Sequence, residues 1–189
     1  MKKTLFTIAF GALAMASTAS ANWYVQGDLG YSKAEVDANA KIKDSGFEPR
    51  VSVGYKLQDF RLAVDYTHYQ DVKDSYQNGS VVGNAKTTVR GVGLSAIYDI
   101  PVQSDLKPYV GGRLAVNQLK LSDRYVHDRT YGEADYKETS VGVGALVGAT
   151  YPLTPNVKLN VGAEYNRLGK VDDASVNNYG VKVGLRYDF

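Results

Sequence analysis

The chain has no cysteine, so disulfide staples, thiol catalysis and thiolate metal sites are all closed to it. Beyond residue 21 no run of 18 apolar residues occurs, which excludes a spanning helix in that part of the chain. Histidine is scarce: His68 and His127 are the two present, so acid–base chemistry has few places to sit. A charge excess of one sign is missing too. Of 22 basic residues, Lys2 and Lys3 fall in an N-terminal leader, which leaves 20 against 20 acidic ones. That balance, and the lack of any basic cluster, argues against nucleic acid or heparin as a partner.

What the chain does have is tyrosine, glycine and period-two alternation. Residues 1–21 carry Lys2-Lys3, an apolar run from Leu5 to Met15 and the small ending Ala19-Ser20-Ala21. This is the pattern of a secretory signal peptide cut before Asn22, leaving 22–189 as one domain. At the other end Tyr179, Val181, Val183, Leu185, Tyr187 and Phe189 alternate with Asn178, Gly180, Lys182, Gly184, Arg186 and Asp188. One phase is apolar and the other polar or bare, which suits a tilted crossing of a bilayer by one strand of a closed barrel. Tyr187 and Phe189 at the end read as a signal for the barrel-assembly machinery.

The same alternation marks eight strands, at 23–32, 47–57, 60–69, 88–98, 107–119, 138–151, 157–167 and 177–189. Polar stretches at 33–46, 70–87, 120–137 and 168–176 read as long loops. Short turns such as Gln58-Asp59, Ile100-Pro101 and Thr154-Pro155-Asn156 join the strands on the other side. An even strand number with short turns at one end and long loops at the other predicts an all-β, eight-stranded antiparallel transmembrane barrel of up-and-down topology. Its place is the bacterial outer membrane, among lipid and lipopolysaccharide, with both termini periplasmic and the long loops extracellular. Trp23, Tyr55, Phe60, Tyr98, Tyr151, Tyr187 and Phe189 then gather at the periplasmic end, and Tyr31, Phe47, Tyr66, Tyr165 and Tyr179 at the other. Two aromatic girdles around an aliphatic band match the two interfaces of a bilayer. A soluble lipocalin-like barrel shares the alternation but gives no reason for the girdles.

The polar phase places Asp28, Arg50, Asp65, Arg113, Glu164 and Lys182 at one level of the lumen, among many glycines. Three acids and three bases there predict a mutually neutralising cluster, because buried unpaired charge is costly. Such a cluster is either a polar plug or an ion-conducting path, and an interior of eight strands, just wide enough to be filled by side chains, favours the plug. Catalysis finds no support: no nucleophile elbow or serine–histidine–acid set is present, and His68 reads as a girdle-edge residue. No metal-ligand spacing and no cofactor motif occur. Function therefore falls to the loops. Tyr76 in the second, and Arg124, Tyr125, Arg129, Tyr131 and Tyr136 in the third, supply the tyrosine and arginine typical of protein-binding surfaces.

The stretch Lys107-Pro108-Tyr109-Val110-Gly111-Gly112-Arg113-Leu114-Ala115, followed by Asn117, resembles the fifth-strand motif of the opacity family. The ending Gly180-Val181-Lys182-Val183-Gly184-Leu185-Arg186-Tyr187-Asp188-Phe189 is similar to that family as well, and the likeness spans the chain beyond the leader. The resemblance implies an eight-stranded outer-membrane adhesin whose variable loops engage host-cell receptors or glycosaminoglycans, a group often labelled porins. It implies adhesion to a host surface protein or matrix ligand, without naming one. A small channel passing ions or small solutes is the alternative.

Overall fold

The computed structural model describes residues 22–37, 42–69, 72–78, 81–127, 130–171 and 174–189; side chains at 36–37, 42–44, 72–78, 81–87, 119, 121–127, 130–137, 169–171 and 174–175 lie outside that description. Residues 1–21, read above as a leader, are also outside it. The described strands are β1 (Trp23–Asp37), β2 (Ile42–Leu57), β3 (Phe60–His68), β4 (Val72–Asn78), β5 (Val81–Asp99), β6 (Lys107–His127), β7 (Thr130–Pro152), β8 (Val157–Val171) and β9 (Ala174–Asp188). All neighbours pair antiparallel, in the order β3-β2-β1-β9-β8-β7-β6-β5-β4, and β3 also pairs with β5. β3 and β4 lie on successive stretches of β5, from Phe60↔Tyr98 to His68↔Arg90 and from Val72↔Thr87 to Asn78↔Val81. They form one stave, so nine segments make eight staves and the sheet closes on itself.

Closure leaves no free sheet edge within the wall, as a bilayer requires. The first and last described strands begin and end at the same rim, where the backbone N–H of Phe189 donates to the Trp23 carbonyl over 3.0 Å. The same end carries the tight connections. Gln58-Asp59 links the paired Leu57 and Phe60, with Gln58 at a φ of 52° as a two-residue hairpin demands. Asn156 holds the turn before β8 by donating its side-chain amide to the Asp188 carbonyl over 2.9 Å.

Burial alternates in the reverse sense to a soluble protein. Along β3, Phe60, Leu62, Val64 and Tyr66 face outward and are exposed, while Arg61, Ala63, Asp65 and Thr67 are buried. Arg61, Asn117, Asn160 and Thr67 are the largest fully buried side chains among the described residues. An apolar skin around a polar interior is stable only in hydrocarbon, which excludes the lipocalin-like alternative. Ring pairs reinforce the skin at both ends: Trp23 meets Tyr55 at 5.2 Å and Phe60 meets Tyr98 at 4.9 Å, while Tyr31 meets Phe47 at 5.5 Å toward the far end.

The far end corrects the sequence reading. Most of 33–46, 70–87, 120–137 and 168–176 is not loop but continued ladder. β1 runs to Asp37 and β2 starts at Ile42; β8 runs to Val171 and β9 starts at Ala174. β6 and β7 stay paired from Lys107↔Thr150 to His127↔Thr130. At 21 and 23 residues these strands are about twice what a bilayer crossing needs. The β7–β8 ladder begins only at Val143↔Arg167, so the Thr130–Gly142 part of β7 pairs with β6 alone. A four-stranded sheet of β4, β5, β6 and β7 thus projects beyond the rim.

Candidate functional site: the charged lumen and the projecting sheet

The inward phase of the staves sets the lumen. Arg50 on β2 reaches across to Glu164 on β8 with two hydrogen bonds, Nη2 to Oε1 at 2.6 Å and Nη1 to Oε2 at 2.8 Å. Lys182 on β9 donates to the same carboxylate, Nζ to Oε2 at 2.6 Å. On the other side Arg113 of β6 grips Asp65 of β3, Nη2 to Oδ1 at 2.6 Å and Nε to Oδ2 at 2.9 Å. Thr67 joins the two halves: its hydroxyl accepts from Arg50 Nε at 2.7 Å and donates to Asp65 Oδ1 at 2.9 Å. Arg50 Nε also lies 3.7 Å from Asp65 Oδ1.

Five of the six charges expected at this level therefore form one connected network. The sixth stands apart: Asp28 accepts from the amides of Gln26, at 2.9 Å, and Asn160, at 3.3 Å, rather than from a base. Fork-to-fork arginine–carboxylate bonds are the geometry in which a buried ion pair best offsets its desolvation.

A second layer lies nearer the termini. Arg61 holds Asp99 through Nε and Nη2, at 2.8 and 2.7 Å, and sits over the rings of Tyr109 and Tyr24, at 5.0 and 6.0 Å. Arg186 also lies over the Tyr24 ring, at 5.2 Å, and Lys158 pairs with Asp188. One small space, of about 30 Å³, lies between the layers, and another, of about 10 Å³, lies beyond Arg50 and Glu164 against Ser32 and Glu48. These hold a water or two at most.

Several lumenal residues escaped the sequence reading: Thr67 and Tyr69 on the β3 stave, Tyr24, Tyr109, Asn117, Asn160 and Asn166. Tyr69 accepts from Arg113 Nη1 at 2.9 Å, and Asn166 donates to Glu164 Oε1 at 3.1 Å. Their signal was parity, since Tyr69 shares the phase of Asp65 and Tyr109 that of Arg113.

Of the residues expected to touch a partner, Arg129 lies outside the described residues. The other five sit on the projecting sheet, where backbone pairs place Tyr76 opposite Gly83, Tyr125 opposite Gly83, Arg124 opposite Asn84, Tyr131 opposite Val126 and Tyr136 opposite Leu121. Tyr76 and Tyr125 thus flank one residue of β5 on three adjacent strands.

Closed staves, an apolar skin and a charged, packed interior define an outer-membrane barrel of eight strands. The model of the family described as "Opacity family porin protein" matches residues 53–189, and the chain belongs to that family. Protein opa of Haemophilus influenzae is 41% identical over 140 residues, covering 72% of this chain and 100% of its own length. The opacity protein opA66 of Neisseria gonorrhoeae is 24% identical over 229 residues, covering 88% of this chain and 96% of its own. The crystal structure of Neisserial surface protein A superposes with a TM-score of 0.64 at 36% identity, covering 88% of this chain and 97% of that one.

Proposed function

We propose that this protein is a surface adhesin. Its near end faces the periplasm with both termini, and its projecting sheet reaches outward to bind host cells or host proteins. The observation that carries this reading is the asymmetry of the two rims. The near rim has connections as short as Gln58-Asp59, whereas the far rim extends β6 and β7 well past the apolar band. An outward extension of paired strands presents tyrosine and arginine on a frame already ordered by backbone bonds, which lowers the entropy lost on binding. The packed lumen gives the channel reading no comparable support, and makes the barrel a rigid base for display.

The test is a pair of shortened chains. Replacing 120–137 by Asn-Gly joins Leu119 to Glu138, which are already partners in the ladder. A second variant shortens the β4–β5 hairpin between Lys73 and Lys86, also partners. Attachment of bacteria bearing these variants to epithelial monolayers is expected to fall to that of bacteria without the protein. The heat-modifiable band of the folded barrel is expected to persist. Undiminished attachment with the folded band intact sinks the adhesin reading.

A further inference from the structure

Beyond the rim the ladders part in two places. β7 is bonded to β8 only as far as Val143↔Arg167, and the β2–β3 ladder stops at Arg50↔Thr67. Four stretches therefore have one side with no partner strand among the described residues. They are 42–49 of β2, Val72–Asn78 of β4, 130–142 of β7 and 168–171 of β8. Such edges invite pairing with another chain, and proteins blunt them with lysine, proline, a bulge or brevity.

Three of the four are blunted in these ways. The β2 stretch carries Lys43 and Pro49. β4 has 7 residues, Lys73 among them. β8 is bulged between Arg167 and Gly169, and its Leu168 carbonyl is taken by Asn117 and Ser140, which donate to it at 3.0 and 2.8 Å. β7 differs. Its ladder with β6 runs on without a register break, and 130–142 holds no proline. Lys137 is the only lysine there, between Asp135 and Glu138. Above the Ser140 contact this open edge continues for roughly 30 Å.

The registers also say what fits beside it. The phase that continues from buried Ala115 and Asn117 carries Leu119 and Leu121 on β6 with Ala134 and Tyr136 on β7, broken by Asp123 and Glu138. The phase that continues from exposed Val116 and Val141 is polar throughout, with Lys120, Arg124, Glu133, Asp135 and Lys137. A strand laid against β7 would prolong both phases.

We infer that the open edge of β7 is completed by an extended segment of a partner protein, added as a further strand and alternating apolar with polar residues. Backbone bonds supply the affinity and the two phases the selection. A second copy of this chain is a poorer occupant. Two barrels in one membrane stand the same way up, so their β7 edges would run parallel, the less stable pairing. At equal heights Asp135 would meet Asp135 and Lys137 would meet Lys137, which is repulsive. A free segment can run antiparallel to β7 with other charges. The inference deepens the adhesin reading and rests on it for the source of the segment, a protein at the host surface.

The test uses the refolded chain, residues 22–189, in nonionic micelles, with a labelled peptide of about ten residues to match the open edge. In it valine alternates with lysine and glutamate. Fluorescence anisotropy reads binding, and backbone amide exchange of the chain reads where the peptide lies. Slower exchange at alternate amides of 130–139, with β4 unchanged, is expected. No binding, or protection elsewhere, overturns the edge. The same peptide N-methylated throughout has no strand donors and is expected to bind at least about tenfold more weakly, the loss of a few net backbone bonds. Equal binding overturns strand addition. A peptide of the same composition with its valines gathered at one end is expected to bind more weakly, and equal binding overturns the alternation. Protection of 130–139 that grows with chain concentration, without peptide, makes a second copy the occupant and overturns the partner segment.

Asp135→Pro and Tyr136→Pro, made separately, locate the bonds, because one of two successive N–H groups faces β6 and the other the open edge. Each is expected to weaken the peptide about fivefold, the loss of one backbone bond. Unchanged affinity in both overturns the edge; if either loses its heat-modifiable band, the amide exchange of the parent chain decides. Bacterial attachment separates this inference from the adhesin reading. Attachment lost with the shortened chains but kept by both proline variants leaves the adhesin and overturns the β7 edge as its contact. Peptide bound at β7 while the shortened chains still attach sinks the adhesin reading and overturns the host source of the segment.

Discussion

Asp65 and Arg113 meet through two hydrogen bonds of 2.6 and 2.9 Å although a whole stave, β5, stands between theirs. The crossing is possible because β5 carries Gly93 there. A methyl group on Gly93 would lie 2.5 Å from both Arg113 Nε and Asp65 Oδ2. Gly93→Ala is therefore expected to push the pair apart and destabilise the barrel by about 1–3 kcal/mol, the usual cost of overpacking. Urea unfolding in micelles, followed by the fluorescence of Trp23, measures it. A midpoint equal to that of the parent chain counts against the close packing of this crossing.

Removing the acid itself should cost more. Asp65→Ala leaves Arg113 buried with Tyr69 as its remaining strong partner and strips Thr67 of its acceptor. Breaking one side of a buried pair typically costs about 3–5 kcal/mol. Replacing both ends, Asp65→Leu with Arg113→Met, should recover much of that loss, since no charge is then left uncompensated. A double variant as unstable as Asp65→Ala would show that the network is held by something other than charge pairing.

Much of this arrangement was legible beforehand, and the reason is parity. A strand side chain can point only in or out, so the aliphatic phase fixed Leu62, Val64 and Tyr66 outside and with them Asp65 inside. Tilt and register were not needed for that. They were needed for the partners: Glu164 serves Arg50 and Lys182 together, while Asp28, also a carboxylate and at the same level, is left to amides. The far ends were misread because 120–137 has mixed charge and no apolar phase. An antiparallel ladder outside the bilayer needs only its backbone bonds and residues suited to strands, such as Tyr125, Val126 and Tyr131. The hydrophobic signal ends where the lipid ends; the strand does not.

The outward wall offers a test of its solvent. Leu114 is 58% exposed, and on a water-soluble barrel an arginine there would be harmless. In hydrocarbon it is not: Leu114→Arg is expected to cost about 2–4 kcal/mol if it lies near the midplane. Gln118→Arg, on the same strand and phase but beyond the apolar row, should cost far less. Equilibrium unfolding of both variants in phospholipid vesicles gives the comparison. Equal costs at the two positions would contradict the placement of the apolar band.

The lumenal network predicts silence in planar-bilayer recordings of the refolded monomer. The Arg50–Glu164 and Arg113–Asp65 bridges fill the bore at one level, and the spaces beside them take little more than single waters. Arg50→Ala combined with Arg113→Ala removes both spans and should allow brief openings, provided the chain still folds. Reproducible steps from the parent chain that vanish on Arg113→Ala would make the cluster part of a conduction path and favour the channel reading over adhesion.

Phe189 ties two roles to one residue, and they can be separated. Its backbone N–H closes onto Trp23 and its ring meets Tyr187 edge-on at 5.1 Å, so it contributes some packing where β9 seals against β1. As part of an assembly signal it would matter in the cell and not in the test tube. Deleting Phe189 is expected to lower the folded, heat-modifiable protein recovered from outer membranes sharply, while refolding from urea into micelles proceeds to nearly the same yield. A single exposed-edge ring pair, worth about 0.5–1.5 kcal/mol beyond its burial, is too small to account for a collapse in cellular yield alone. If both yields fall together, the loss is one of stability and the assembly signal is not at Phe189. If neither falls, the barrel-assembly machinery does not read this ending.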